Sequence, residues 1–205
     1  MKEKFLKAKQ LIREKKYKEF LVKTVMFFPH HIFLKCYRLV GRPLLLRRMR
    51  NDSRFYVGDT WLNNDGNDML KNYIISQPVR KYEIDTIKLG DINIQLQDKK
   101  SSLCDSPIYT YIRGDEESYR AFSRKCFEYW HPDEDIHALI DRDVARYNDT
   151  IRRITNDGYD IRKGAIIVDD HNVLLDGAHR SCVLMSLFGP EYEISVLKIY
   201  YMRWL

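Results

Sequence analysis

The sequence predicts an α+β protein: a small mixed sheet with packed helices, preceded by a basic amphipathic helical arm. Three observations predict it. Charge divides sharply along the 205 residues, with 15 Lys/Arg against 3 Asp/Glu in residues 1–50 and 20 against 26 in residues 51–205. The overall +6 is therefore the sum of a +12 arm and a −6 body. Apolar residues recur at helical spacing through the arm. Beyond Lys81 the patterns run strand, helices, hairpin, helix, strand. With 44% apolar and 31% charged residues, the chain has material for a real core and is not disordered throughout. The organisation expected is an arm (1–50), a connecting region (51–80) and a domain (81–205).

Residues 2–23 read as a helix, with Phe5, Leu6, Leu11 or Ile12, Phe20 and Leu21 on one side among lysines. Pro29 interrupts it, His30–Val40 continues as a second helical piece, Gly41-Arg42-Pro43 breaks that, and Leu44–Arg50 is a short basic end. Such a pattern suits a helix lying in an anionic membrane interface. The alternative is a helical unit packed on the body with its lysines in solvent. The longest uncharged apolar run here, Thr24–Leu34, contains Pro29, His30 and His31. It falls well short of the roughly 20 apolar residues of a membrane span. No secretory signal is visible. Cys36, Cys104, Cys126 and Cys182 form no CxxC and no zinc spacing with the six histidines, so free thiols in a reducing compartment are expected.

In the connecting region, Asn63-Asn64-Asp65-Gly66 reads as a loop and Asp68–Ile75 as a short helix. The domain opens with one or two strands carrying Tyr82, Ile84, Ile87, Leu89, Ile92, Ile94 and Leu96. Ser106 to Asp115 reads as a polar, aromatic loop, and Asp115–Trp130 as a helix. Pro132 marks the first position of the next helix, with Asp133, Glu134 and Asp135 at its positive end. Ile136, Ile140, Val144, Tyr147, Ile151 and Ile154 share one face, and Gly158 ends it. Ala165–Val168 is a buried strand, Asp169–Asn172 a hairpin turn, and Val173–Leu175 the returning strand. Asp176-Gly177 opens a helix to Phe188, and Glu193–Tyr200 is the last strand. His131, Asp135 and His137 could suggest a metal cluster, but Asp135 and His137, two apart on a helix, share no face, and a dipole-complementing, surface role is expected.

The chemistry concentrates at Asp176-Gly-Ala-His-Arg180. Gly177 permits a tight turn and close backbone approach to a ligand. The helix behind it offers unpaired N–H groups and a positive end, which suit phosphate. His179 and Arg180 add donors there. His179, near a helix N-terminus, should favour its neutral form. Asp176 is placed to hold a metal or to take a proton from a hydroxyl. Against this stands a structural role, Asp176 as an N-cap bonded to the N–H of His179, with His179 and Arg180 as ordinary exposed first-turn residues.

The stretch Ile166–Leu184, followed by Ile194–Ile199, resembles the ParB/sulfiredoxin superfamily: strand, turn, strand, a Gly-x-[His/Arg]-Arg turn at a helix start, then a closing strand. The resemblance covers about residues 81–201, with motif-level matching only in 164–199. It implies nucleotide phosphates bound at Gly177, Ala178, His179 and Arg180. Ala178 stands where sulfiredoxins carry their catalytic cysteine, which speaks against that chemistry. The chain stops five residues after the last strand, where a partition protein would continue into a DNA reader. The Asp-Gly-x-His-Arg form is most similar to the free-serine kinase branch. That likeness implies a phosphotransferase using ATP or ADP with Mg²⁺, with Asp176 and His179 as catalytic candidates. It does not imply serine as acceptor.

In this fold the loop after the first strands lies near the nucleotide turn, which makes Ser106, Tyr109, Arg113 and Asp115 further site candidates. Asp115 has a competing role as N-cap of the next helix. A basic amphipathic arm would hold the enzyme peripherally at the cytoplasmic membrane face, near a glycan or other small hydroxyl substrate. The alternatives are a nucleotide-dependent switch without transfer, and a nucleic-acid-binding ParB-like protein. The −6 body weighs against nucleic acid, since such affinity comes mainly from neutralising phosphates.

Overall fold

The computed structural model describes residues 30–57, 70, 74–96 and 99–202. The helix expected over 2–23, the loop at 63–66 and most of the helix expected at 68–75 lie outside the described residues. The chain forms two compact units, residues 1–48 and 49–205.

In the first unit, residues 30–36 are helical and lead into a wide π-turn, Tyr37–Gly41, continued directly by helix α1 (Arg42–Arg50), whose last two residues belong to the second unit. The break expected at Gly41–Pro43 does not occur. The N–H of Arg42 reaches back five residues to the carbonyl of Tyr37. The widened turn takes up the mismatch just before Pro43, which has no N–H to place and sits in the first turn of α1. Ile32, Leu39, Val40 and Leu44 are exposed along this stretch. Among the described residues no helix is long and apolar enough to cross a membrane.

The second unit is α+β. Its main sheet has the order β1-β6-β4-β5, built from β1 (Val79–Lys88), β4 (Ile167–Asp169), β5 (Leu174–Asp176) and β6 (Glu193–Tyr201). β1 runs antiparallel to β6, β6 parallel to β4, and β4 antiparallel to β5. A separate hairpin joins β2 (Asn93–Leu96) and β3 (Lys99–Ser102). The helices are α2 (Pro107–Ile112), α3 (Glu116–Trp130), α4 (Ile136–Asp157) and α5 (Ala178–Phe188). α5 carries the chain from β5 across β4 to β6, and packs on α2 and α4.

Residues 51–57, expected to connect two parts, are woven into this unit. The N–H of Tyr56 bonds to the carbonyl of Ile161, and its carbonyl accepts from Ala165. Ile74 and Ile75 are buried as well. β1 begins at Val79, inside the region read as connecting, because the first strand already pairs there with Tyr201.

Two further expectations are corrected. Ser106 to Asp115 is not a loop: α2 occupies Pro107–Ile112, with the Ser106 hydroxyl accepting from the N–H of Tyr109 and proline at the first position. α4 starts at Ile136, not at Pro132. Asp135 is its N-cap and accepts from the N–H groups of His137 and Ala138. The predicted apolar face of α4 is the buried one: Ile140, Val144, Tyr147 and Ile154 are all in the core.

Candidate functional site

The turn into α5 is built by one glycine. Gly177 has φ +93°, the left-handed region that favours glycine. A Cβ there would stand 3.0 Å from both Cα and Cγ1 of Ile166 on the neighbouring strand segment. Gly177 is also the N-cap of α5 and brings no side chain to the helix end. Asp176 does not cap His179. Its Oδ1 accepts from the N–H of Gly177 at 2.7 Å, and its Oδ2 lies 3.4 Å from Nη2 of Arg180. The carboxylate fastens the turn from outside. The first N–H groups of α5 therefore have no side-chain cap.

This turn forms part of the wall of a cleft of about 530 Å³, bounded by α3, α4, the segment around Gly164 and the β5–α5 turn. Asp176, Gly177, Ala178, His179 and Arg180 all line it. Neither His179 nor Arg180 is an exposed first-turn residue; both are half-buried.

The His179 ring sits on a polar cluster that helical periodicity alone did not reveal. Its Nε2 lies 2.8 Å from the hydroxyl of Tyr119. That hydroxyl donates to Oδ2 of Asp143 at 2.7 Å. Ser123 donates to the same oxygen at 3.1 Å, and Nη2 of Arg146 to Oδ1 at 2.6 Å. The Asp143 side chain is only 10% exposed, so its charge is withdrawn from water and met by three donors. The Tyr147 ring lies 4.2 Å from that of His179, centroid to centroid, and its hydroxyl donates to the carbonyl of Ile108.

This surrounding fixes the protonation of His179. Burial lowers its pKa to about 4, with Arg146 and Arg180 pushing the same way against Asp143. The neutral form expected from the helix N-terminus is present, but desolvation is the main cause. Burial and Asp143 together hold Tyr119 protonated. A carboxylate can only accept, so the single Tyr119 proton goes to Asp143, and the hydroxyl oxygen accepts from Nε2–H of His179. Nδ1 is then the bare nitrogen. It has no hydrogen-bond partner among the described residues.

Arg180 is held from two sides, with Nη2 on the carbonyl of Ala165 at 2.8 Å and on Asp176. Its Nε is buried without a partner. Such a group needs an explanation, and a ligand oxygen is one.

The other site candidates fall elsewhere. Ser106 is fully buried, donates to the carbonyl of Leu103 and lies 3.6 Å from Sγ of Cys182. Tyr109 packs on the core, Arg113 caps the end of α2, and Asp115 caps α3 through the N–H of Ser118. None of the four lines the cleft. The stretch folds as a capped helix against the core, which turns its polar groups into caps.

Tyr119, Ser123, Asp143 and Arg146 are the members of the site that the sequence reading missed. A signal existed: Ser123 sits between Tyr119 and Phe127 at successive helical turns, a polar residue on an otherwise aromatic buried face. Among the described residues no group of three or more His, Cys, Asp or Glu side chains is placed to hold a metal ion. Asp176 is a single carboxylate, which suits a magnesium ion held mainly by nucleotide phosphates rather than one held by protein ligands alone.

No family model, no curated protein and no solved structure matches the chain.

Proposed function

We propose that the protein is a nucleotide-binding phosphotransferase of ParB/sulfiredoxin-like kind, acting on a small or membrane-proximal hydroxyl substrate. The observation that carries this reading is the uncapped N-terminus of α5 opening into the cleft beside a neutral His179. Backbone N–H groups at a helix start receive phosphate oxygens, and the close turn at Gly177 lets a ligand approach the backbone. The order hairpin, glycine turn, helix, parallel closing strand supports the same reading.

In this reading the nucleotide phosphates lie on the N–H groups of Ala178 to Arg180, with the Arg180 guanidinium beside them. The acceptor hydroxyl faces His179. As its oxygen bonds to the terminal phosphorus, its proton passes to Nδ1, and the bridging P–O bond breaks to release the nucleoside diphosphate. A base of pKa near 4 is weak, but phosphoryl transfer proceeds mainly by positioning and charge stabilisation. Magnesium would neutralise phosphate charge, with Asp176 as its protein contact. Exposed Ile32, Leu39, Val40 and Leu44 among Lys35, Arg38 and Arg47 suit an arm resting on an anionic membrane at its cytoplasmic face, near a glycan or lipid-linked sugar.

The test is calorimetry with ATP, ADP and CTP, then chromatography of nucleotide and acceptor pools. Asp176→Asn and His179→Gln should keep the fold and abolish turnover. Unchanged turnover in both removes them from the mechanism. Binding without any transfer points instead to a nucleotide-dependent switch, and tighter binding to DNA than to anionic vesicles at physiological salt would point to nucleic acid.

A further inference from the structure

A second, smaller cavity of about 250 Å³ adjoins the cleft, between the C-terminal end of α4 and residues 158–164. Four residues line both: Arg153, Lys163, Gly164 and Arg180. Three are cations. The fourth makes room for one of them, since a Cβ on Gly164 would stand 3.3 Å from Nη1 of Arg180. With Nη2 bonded to the carbonyl of Ala165, the Arg180 guanidinium is held against the backbone.

Two carboxylates, Asp157 and Asp160, line the smaller cavity with these cations, and the other nearby carboxylates are mostly held in ion pairs. Asp143 pairs with Arg146, Asp149 with Arg152, and Asp160 with Arg162. Arg153 and Lys163 form no ion pair with any described residue, and Arg180 has only Asp176 at 3.4 Å. Asp157 lines the smaller cavity but not the cleft. The residues shared by the two cavities thus include three cations and no carboxylate, so the junction between them is positive on balance. Guanidinium forks beside an ammonium point charge are a donor set matched to phosphate.

We propose that Arg153, Lys163 and Arg180 form a second anion subsite, distinct from the helix mouth, that takes a phosphate ester. The subsite rests on the reading of the cleft as a phosphotransfer site for what brings the ester there. Its source is either the terminal phosphates of the nucleotide or a phosphate already carried by the acceptor.

The experiment is calorimetry on the full chain with inorganic phosphate, AMP and ATP. It compares wild type, Arg153→Gln/Lys163→Gln, and Arg142→Gln, an exposed residue of α4, as a control that lines neither cavity. Both altered residues are exposed, so the fold should survive, checked by thermal melts. Phosphate affinity should fall about tenfold or more in the double variant, as expected for two lost charge-assisted contacts, and stay unchanged in the control. A parallel loss for ATP but not AMP assigns the subsite to the nucleotide's terminal phosphates. An unchanged ATP affinity, with phosphate still binding to ATP-saturated wild type but not to the double variant, assigns it to the acceptor. Wild-type affinities for phosphate and ATP in the double variant overturn the subsite. Phosphate binding lost in the double variant, with no nucleotide bound by wild type, would instead overturn the nucleotide reading and leave the subsite standing.

Discussion

The hydroxyl of Tyr119 accepts from His179 while donating to Asp143, and this one shared oxygen decides which nitrogen of the imidazole is bare. Tyr119 and His179 lie 60 residues apart and on different helices. In wild type, ¹⁵N NMR should find His179 neutral with its proton on Nε2 near pH 7.

Removing that oxygen is the direct probe. Tyr119→Phe leaves Asp143 with Ser123 and Arg146, and leaves Nε2 without its acceptor. The expected loss is about 1.5–3 kcal/mol in urea unfolding, the scale of a hydrogen bond to a charged group. The tautomer preference should weaken in the same variant. A stable variant that keeps the Nε2–H form would show that something other than Tyr119 orients the ring.

Acid should weaken the fold through His179. The folded ring titrates near pH 4 and an unfolded one near 6.5, so between these values the unfolded chain binds more protons. The contribution is complete above pH 6.5 and lost as pH falls toward 4. Its full size is on the order of 3 kcal/mol. His179→Gln should flatten the stability profile in this window, measured by urea unfolding at a series of pH values. Turnover carried by His179 should fall near pH 4 rather than near 6.5.

Gly177 and Gly114 separate two reasons for glycine. Both have positive φ, +93° and +96°. An added Cβ at Gly114 meets nothing within 4 Å, whereas at Gly177 it meets Ile166 at 3.0 Å. Gly114→Ala should cost about 1 kcal/mol of backbone strain. Gly177→Ala should cost about 1–3 kcal/mol more, because strand backbone must move. Equal losses in thermal melts would mean that the close approach is relieved without cost.

The thiols should differ in reactivity. Cys182 is fully buried and its pKa is pushed up to about 12 by desolvation. Cys36 and Cys104 are exposed. Iodoacetamide on the native chain, read by peptide mass spectrometry, should label Cys36 and Cys104 and spare Cys182 until denaturant is added.

Local patterns carry much of the fold. The apolar face of α4 and the strand-turn-strand-helix run from Ile167 to Phe188 are legible because burial imposes a period of 3.6 or 2 on neighbouring residues. Misreadings come where one residue type serves several ends. Ser106-Pro107 reads as loop, yet serine before proline also caps a helix. Pro132 reads as a helix start, while Asp135 is the residue with N–H groups to satisfy. Gly41-Arg42-Pro43 reads as a break, but a π-turn absorbs the proline.

The sequence by itself determined the charge division, the buried face of α4, and the strand-turn-strand-helix run with its turn at 176–180. It could do so because a glycine in a left-handed turn before a helix is a local requirement of the backbone. Only the tertiary structure decided what that turn faces. Tyr119 reaches His179 from another helix and ties it to Asp143 and Arg146 on a third, and Arg153 and Lys163 line the same two cavities as Arg180 from α4 and the loop before β4. Electrostatic effects and hydrogen bonds depend on distance in space, so no spacing along the chain could show which charges are neutralised and which remain to meet a ligand.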